Sequence, residues 1–303
     1  MIEGLLNSAA PLMMAGLGAL LSDLSGALAV FIEGFMVIGS FFSWIFSGWT
    51  GSVFLGTLLS ALLAGLAGWA LARFVRVSRA NPFIAGLALN LAAVGITTSL
   101  SAVWFGTKGV LQNPAIKIPQ PVRIPLIDSI PFIGKIISGQ SPFTYIAWAC
   151  ALILAIGLKK TVVGFRLRAV GLSYPRSPLA DPKSPLADEA AEERGIHSGL
   201  YREAAWALAA FLAALAGAAL TFRAGSYAPG GIAGRGWIAL AAVYLGFRNA
   251  WGVVLAALVF TLAERLGFGL QGFGHLSATA LLGLPFALAL LLYFVSLVLR
   301  RRR

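Results

Sequence analysis

The sequence predicts an all-α polytopic membrane protein, with about six full spanning helices and two broken or re-entrant helical segments in one transmembrane domain over residues 1–303. Three observations predict it. Apolar residues make up 59% of the chain and charged residues 11%, where a soluble domain carries about 25% charged residues. Six apolar stretches are close to the roughly 20 residues that a helix needs to cross a bilayer. Basic residues gather at the ends of those stretches: Arg73, Arg76 and Arg79 follow one, and Arg300 to Arg303 follow another.

The six stretches lie near 5–22, 53–72, 83–104, 142–160, 203–222 and 276–299. Two more, 26–46 and 236–264, are less regular. Gly34 and Gly39 interrupt the first, and Gly246-Phe-Arg-Asn-Ala-Trp-Gly252 interrupts the second. Glycine is tolerated at membrane depth where helices pack closely or break.

The net charge of +12 does not point to nucleic acid, because its placement is that of basic clusters on the cytoplasmic side of a membrane. With 73–82, 159–202 and 300–303 in the cytoplasm, that side holds 15 of the 23 Lys and Arg residues. Lys108, Lys117, Arg123, Lys135, Arg223, Arg235 and Arg265 lie outside, and Arg248 is unassigned. This orientation makes 105–141 an external, proline-rich loop and 161–202 a cytoplasmic one. It also makes 236–264 a hairpin that starts and ends outside, and does the same for 26–46 if the N-terminus is cytoplasmic. Helix, broken segment, helix then occurs twice, in 5–72 and in 203–299. Repeats of that kind build many transporters, with the substrate route at the broken helices; Gly/Ala-rich helices also resemble one another without being repeats.

Cys150 is the sole cysteine, so no intrachain disulfide forms and no Cys/His cluster binds zinc. The N-terminus lacks the basic region of a signal peptide, so the first apolar segment is expected to stay. There is no GxxxxGK[ST] phosphate loop and no HExxH. His197 and His275 have no carboxylate constellation beside them. The chain is expected to be no enzyme and to hold neither metal nor cofactor.

The long polar interruption from Gly164 to Arg202 cannot lie in hydrocarbon. Ser177-Pro-Leu-Ala-Asp181 recurs as Ser184-Pro-Leu-Ala-Asp188, and Pro175, Pro178, Pro182 and Pro185 prevent a continuous helix there. Beyond them, Asp188 and Glu189 suit a helix start, where the dipole favours negative charge. Ala190 and Ala191 let another surface approach, and Gly195 suits a helix stop before Ile196. The segment reads either as a docking knob for a soluble partner or as a solvated loop.

Within the spans, Glu33 stands among Phe31, Ile32, Phe35 and Met36. An acid there costs about 2.5–3.5 kcal/mol at a helix centre on insertion scales, so it faces the bundle interior, a wet cavity or a cation. It reads as a substrate contact or as a structural hydrogen bond at a helix break. Asn90 and Thr97 share one helical face, as path residues or as polar glue between helices. Trp237 and Tyr244 share another, suited to stacking on a base or sugar ring or to interfacial and core packing. Arg248 either lines the path or lies near the cytoplasmic side.

Asp188-Glu-Ala-Ala191 followed by Gly195-Ile196 resembles the EAA coupling loop of bacterial ABC importer permeases. Ala80-Asn-Pro-Phe-Ile-Ala-Gly-Leu-Ala-Leu-Asn90 is similar to that family's AN…GLALN segment, Ile32-Glu-Gly-Phe-Met36 to its LEGMM segment, and Ala233-Gly-Arg-Gly-Trp-Ile-Ala-Leu-Ala-Ala242 to its AGRGFIALAA segment. The four matches in order resemble the simple-sugar and nucleoside branch, and the short partner of a two-permease pair. Two departures stand out: Ala187-Asp188 where the family has Asn-Pro, and Ala29 where it has Asn.

The resemblance implies a multi-pass subunit of the bacterial cytoplasmic (inner) membrane. It implies coupling through Asp188, Glu189, Ala190, Ala191, Gly195 and Ile196 to a separate ABC ATPase subunit. It also implies a second permease subunit, in a heterodimer or homodimer, and an extracytoplasmic substrate-binding protein. Nucleosides are the first expectation for the solute, simple sugars or a riboflavin-type vitamin the second. A secondary transporter driven by an ion gradient is the alternative of another class, with Glu33 as its clearest buried ionisable group.

Overall fold

In the computed structural model, residues 2–123, 138–173, 195 and 197–270 are described. The expected span 276–299 and the expected coupling residues Asp188, Glu189, Ala190, Ala191 and Ile196 lie outside them. Among the described residues nine helices form: α1 (Ile2–Leu24), α2 (Ile32–Thr50), α3 (Val53–Ser78), α4 (Pro82–Phe105), α5 (Pro142–Lys160), α6 (Val162–Ser173), α7 (Ser198–Ala224), α8 (Arg235–Leu245) and α9 (Ala250–Leu270). All but α6 and α8 are long and apolar enough to cross a membrane, and the described residues contain no strand. The chain is an all-α, multi-pass membrane protein, which in bacteria places it in the inner membrane.

The helix ends sort into two groups. Arg76 at the end of α3 reaches Glu203 near the start of α7 at 2.7 Å. Arg166 of α6 donates to the Tyr201 hydroxyl, and Leu24, Lys159, Arg168 and Arg248 surround one cavity. This is the basic end, cytoplasmic by the positive-inside rule, and Arg248, unassigned by the sequence, belongs to it. At the opposite end Asn7 Oδ1 accepts from Ser141 N at 2.8 Å and from Thr144 Oγ1 at 2.6 Å. There, too, Leu111 of the 105–141 loop exchanges backbone hydrogen bonds with Tyr227.

The first turns of α1 therefore share a side with the start of α5, opposite the basic end. With the first helix running that way, 26–46 is not a hairpin. It is a non-helical turn followed by α2, one continuous helix running away from the basic end. The segment 236–264 does turn back, as the short α8 followed by the full-length α9.

Helix α7 is the hub. It is buried along most of its length and packs on α1, α2, α3 and α6. Lipid tails are as apolar as leucine, so helix association needs close backbone approach. Small residues permit it here: a Cβ on Gly39 would lie 2.2 Å from Ala214 Cα, and one on Gly217 2.0 Å from Met36 O. Gly56, Ser60, Ala64, Gly68 and Ala72, four residues apart, form the buried face of α3. Helix α4 buries only Gly86, Asn90, Ala93, Thr97 and Ser101, chiefly against α2.

The triples α1–α2–α3 and α7–α8–α9 run in opposite directions and pack alike. Helix α3 lies on α7 as α9 lies on α1, and α2 lies on α7 as α8 lies on α1. The arrangement is that of two inverted halves about the α1–α7 pair.

Candidate functional site

Helix α8 crosses only the basic half of the bundle. Before it, residues 225–234 descend without helix, through Ala233 at φ +51° and Gly234 at φ +79°. Such backbone is tolerated at membrane depth where protein or a water-filled cavity satisfies it. A cavity of about 370 Å³ opens beside it, lined by Ser40, Thr221, Arg223, Ser226, Ile232 and Arg235 among others.

A helix start leaves backbone N–H groups without partners, and neither α2 nor α8 caps its own. Phe31 before α2 and Gly234 before α8 provide no side-chain bond. Each is satisfied from elsewhere. Asn90 on α4 accepts the Gly34 N–H at 2.7 Å and donates to Val30 O at 2.7 Å. Glu33 on α2 accepts the Gly234 N–H at 2.9 Å and the Gly236 N–H at 2.6 Å, one on each carboxylate oxygen. The negative charge sits at the positive dipole end of α8, through charge-assisted bonds. A relay of caps thus runs from α4 through α2 to α8.

Gly236 makes the approach possible, since a Cβ there would lie 2.6 Å from Glu33 Cα and from Glu33 N. Gly34 does the same toward Asn90, whose Oδ1 would be 2.8 Å from a Cβ.

The structure brings Glu33, Asn90 and the start of the Trp237 helix together at this junction. Trp237 and Tyr244 are 38% and 43% exposed on one face of α8. Tyr244 and Arg248 form a second group at the basic end, around Asp23. The Arg248 Nε donates to Asp23 Oδ2 at 2.5 Å, Arg248 Nη2 to Asp23 O at 3.0 Å, and the Tyr244 hydroxyl to Asp23 Oδ1 at 3.2 Å. This ties the end of α1 to the turn between α8 and α9. Thr97 belongs to neither group; it donates to Ala93 O of its own helix at 2.8 Å. Of the residues expected to couple to a partner, Gly195 alone is described, exposed and at φ +72°.

Sequence reasoning missed Asp23, Glu203 and the outer cluster. Asp23 and Glu203 are acids at the margins of apolar runs, a signal that was present. Arg223 lines the 370 Å³ cavity and a second of about 350 Å³ that Arg265 shares. Arg235 lies 3.7 Å from Glu264, and Arg265 donates to Ser8 Oγ and Gly4 O. Arg223 and Arg265 had counted only as outside charges. The described residues hold no group of three or more His, Cys, Asp or Glu able to bind a metal.

The family described as branched-chain amino acid transport system / permease component matches residues 1–299. The chain is 29% identical over 280 residues to the nucleoside ABC transporter permease protein NupC of Lactococcus lactis subsp. cremoris, covering 88% of this chain and 81% of that protein. It is 31% identical over 274 residues to the guanosine ABC transporter permease protein NupQ of Bacillus subtilis, covering 85% and 78%. It is 28% identical over 272 residues to the putative glucose ABC transporter permease protein TsgC13 of Haloferax volcanii, covering 87% and 76%. No solved structure matches the chain.

Proposed function

The chain belongs to the branched-chain amino acid transport system permease component family, and from that premise we propose that it is the membrane-spanning subunit of an ABC importer carrying nucleosides. The observation that carries the solute class is the likeness to NupC and NupQ over more than four fifths of this chain. The likeness to TsgC13 makes a simple sugar the second reading. An ion-coupled mechanism has little to work with, because Glu33 is committed to two backbone N–H groups and Asp23 and Glu203 to arginines.

The chain supplies a gate, and hydrolysis of ATP belongs to a separate subunit. A second permease and an extracytoplasmic binding protein complete the assembly. The segment Asp188, Glu189, Ala190, Ala191, Gly195 and Ile196 leads directly into α7. Force applied there enters the hub helix. Glu203, near its start, is gripped by Arg76 at 2.7 Å and Arg73 at 3.6 Å, so α3 follows α7. At the far end the same helix lines the Arg223 cavity, beside the descending segment and the junction under it. Tilting α7 against the α1–α8 pair opens one side as it closes the other. Trp237 and Tyr244 offer aromatic faces to a base or a sugar ring.

The test compares wild type with a variant carrying Glu189→Arg and Gly195→Pro. Proline holds φ near −65°, incompatible with +72° at Gly195. Uptake of labelled guanosine and uridine, with glucose in parallel, and co-purification of the ATPase should all fall in the variant. Unchanged association and uptake would remove the coupling role. Uptake of glucose without nucleosides would replace the solute.

A further inference from the structure

At the basic end a cavity of about 220 Å³ lies between the last turns of α1 and α5, helix α6 and the start of α9, lined in part by Leu24, Lys159, Arg168, Arg248 and Asn249. Three cations thus meet at one hollow. Asp23 is taken by Arg248, and Lys159 and Arg168 have no acidic partner among the described residues. The Arg168 guanidinium stands 4.8 Å over the Phe165 ring, and its Nε donates to Gly164 O.

The hollow also receives the start of a long helix. The Val253 N–H bonds Asn249 O at 2.9 Å, so the three N–H groups before it have no helical acceptor. Asparagine is a favoured cap, yet Asn249 Oδ1 is buried with no hydrogen-bond partner among the described residues. Positive charge, dipole and free donors all call for an anion.

The neighbouring surface is apolar rather than aqueous. Val162, Val163 and Phe165 of α6 are 60–64% exposed. On α5, Leu152 and Ile156 are also exposed, seven and three residues before Lys159 and hence on its face. Ile153 joins them, so an apolar strip runs from the cavity mouth along α5 toward the bilayer centre. A free phosphate would use the cations and leave this strip unused.

We propose that the cavity holds the phosphate of an anionic phospholipid headgroup, with its acyl chains laid along Leu152, Ile153 and Ile156. Lys159 and Arg168 grip the phosphate, and the start of α9 adds backbone donors. A lipid there sits against the Asp23–Arg248 tie.

The test uses the full chain purified in mild detergent, with bound lipid read by native mass spectrometry across a titration of phosphatidylglycerol against phosphatidylcholine. Wild type should retain phosphatidylglycerol in preference. Lys159→Gln with Arg168→Gln should weaken retention roughly tenfold or more, as expected for two lost surface cations. Lys160→Gln, next to the cavity residue but not lining it, should change little, and Lys159→Arg with Arg168→Lys should restore binding, which separates lost charge from misfolding. Equal retention in the double Gln variant, an equal loss in Lys160→Gln, or no preference over phosphatidylcholine would overturn the proposal. Displacement of the lipid by millimolar inorganic phosphate alone would overturn it in favour of a free anion.

Discussion

Glu33 Oε2 accepts the Gly236 N–H at 2.6 Å, joining the first turns of α2 and α8, which belong to opposite halves of the bundle. The Glu33→Ala variant leaves the Gly234 and Gly236 N–H groups without an acceptor, an expected cost of about 1–3 kcal/mol. Glu33→Gln keeps one acceptor oxygen and should fall between. Thermal unfolding in detergent should rank wild type above Gln and Gln above Ala; an Ala variant as stable as wild type would show that the cap is dispensable.

Asn90 is the corresponding cap one step back. Asn90→Asp retains the acceptor for the Gly34 N–H and loses the donor to Val30 O, whereas Asn90→Leu loses both. Hydrogen exchange over residues 30–34 should quicken in Asp and more so in Leu, by a factor of roughly 10 for each bond worth about 1.4 kcal/mol. Exchange altered only within α4 would contradict the relay.

Two glycines separate close approach from ordinary helix propensity. A Cβ on Gly236 meets the Glu33 backbone at 2.6 Å, while one on Gly95 meets nothing within 4 Å. Gly95→Ala should therefore be neutral or stabilising by about 0.5–1 kcal/mol. Gly236→Ala should push α8 from α2 and lower both stability and uptake. Equal effects at the two positions would rule out the contact.

The Asp23–Arg248 pair is largely buried, with side chains 12% and 28% exposed. Single alanine variants leave one charge unmatched, so the double variant should be less damaged than the sum of the singles. A double-mutant cycle on unfolding should give a coupling of about 0.5–3 kcal/mol. Strict additivity would show that α1 and the α8–α9 turn are not tied by these groups.

Glu203 is almost fully buried and has two arginine partners, at 2.7 and 3.6 Å. Arg76→Ala alone leaves Arg73 as a substitute, and its effect on unfolding should be small. Arg73→Ala with Arg76→Ala strands a buried carboxylate, which costs about 3–5 kcal/mol. The loss should be relieved by adding Glu203→Gln. No relief would mean that the arginines serve something other than Glu203.

How much of this was legible in the sequence varies from residue to residue. The run from Val53 to Ser78 declared itself, because apolar length followed by Arg73, Arg76 and Arg79 is a local signal. Glu33 was legible as a group that could not face lipid, since the cost of an exposed charge needs no partner to evaluate. Its partners were not, because Gly234 and Gly236 lie some 200 residues away and offer only backbone. Asn90 read as glue or as path for the same reason. Its two bonds go to backbone in the first turn of α2 and in the turn just before it.

The side on which the chain begins was decided by packing. Nothing in Met1-Ile2-Glu3 distinguishes one face of the bilayer from the other, and Asn7 chooses by bonding the start of α5. That choice in turn turned 26–46 from a hairpin into a single crossing. Composition and the spacing of apolar runs, by themselves, determined that this is a helical membrane protein, because hydrophobic length and charge placement act one segment at a time. Which broken helix caps which, and which arginines gather around a cavity, was decided only by the tertiary structure. Orphan N–H groups and buried charges are satisfied across the bundle, between positions that sequence order holds far apart.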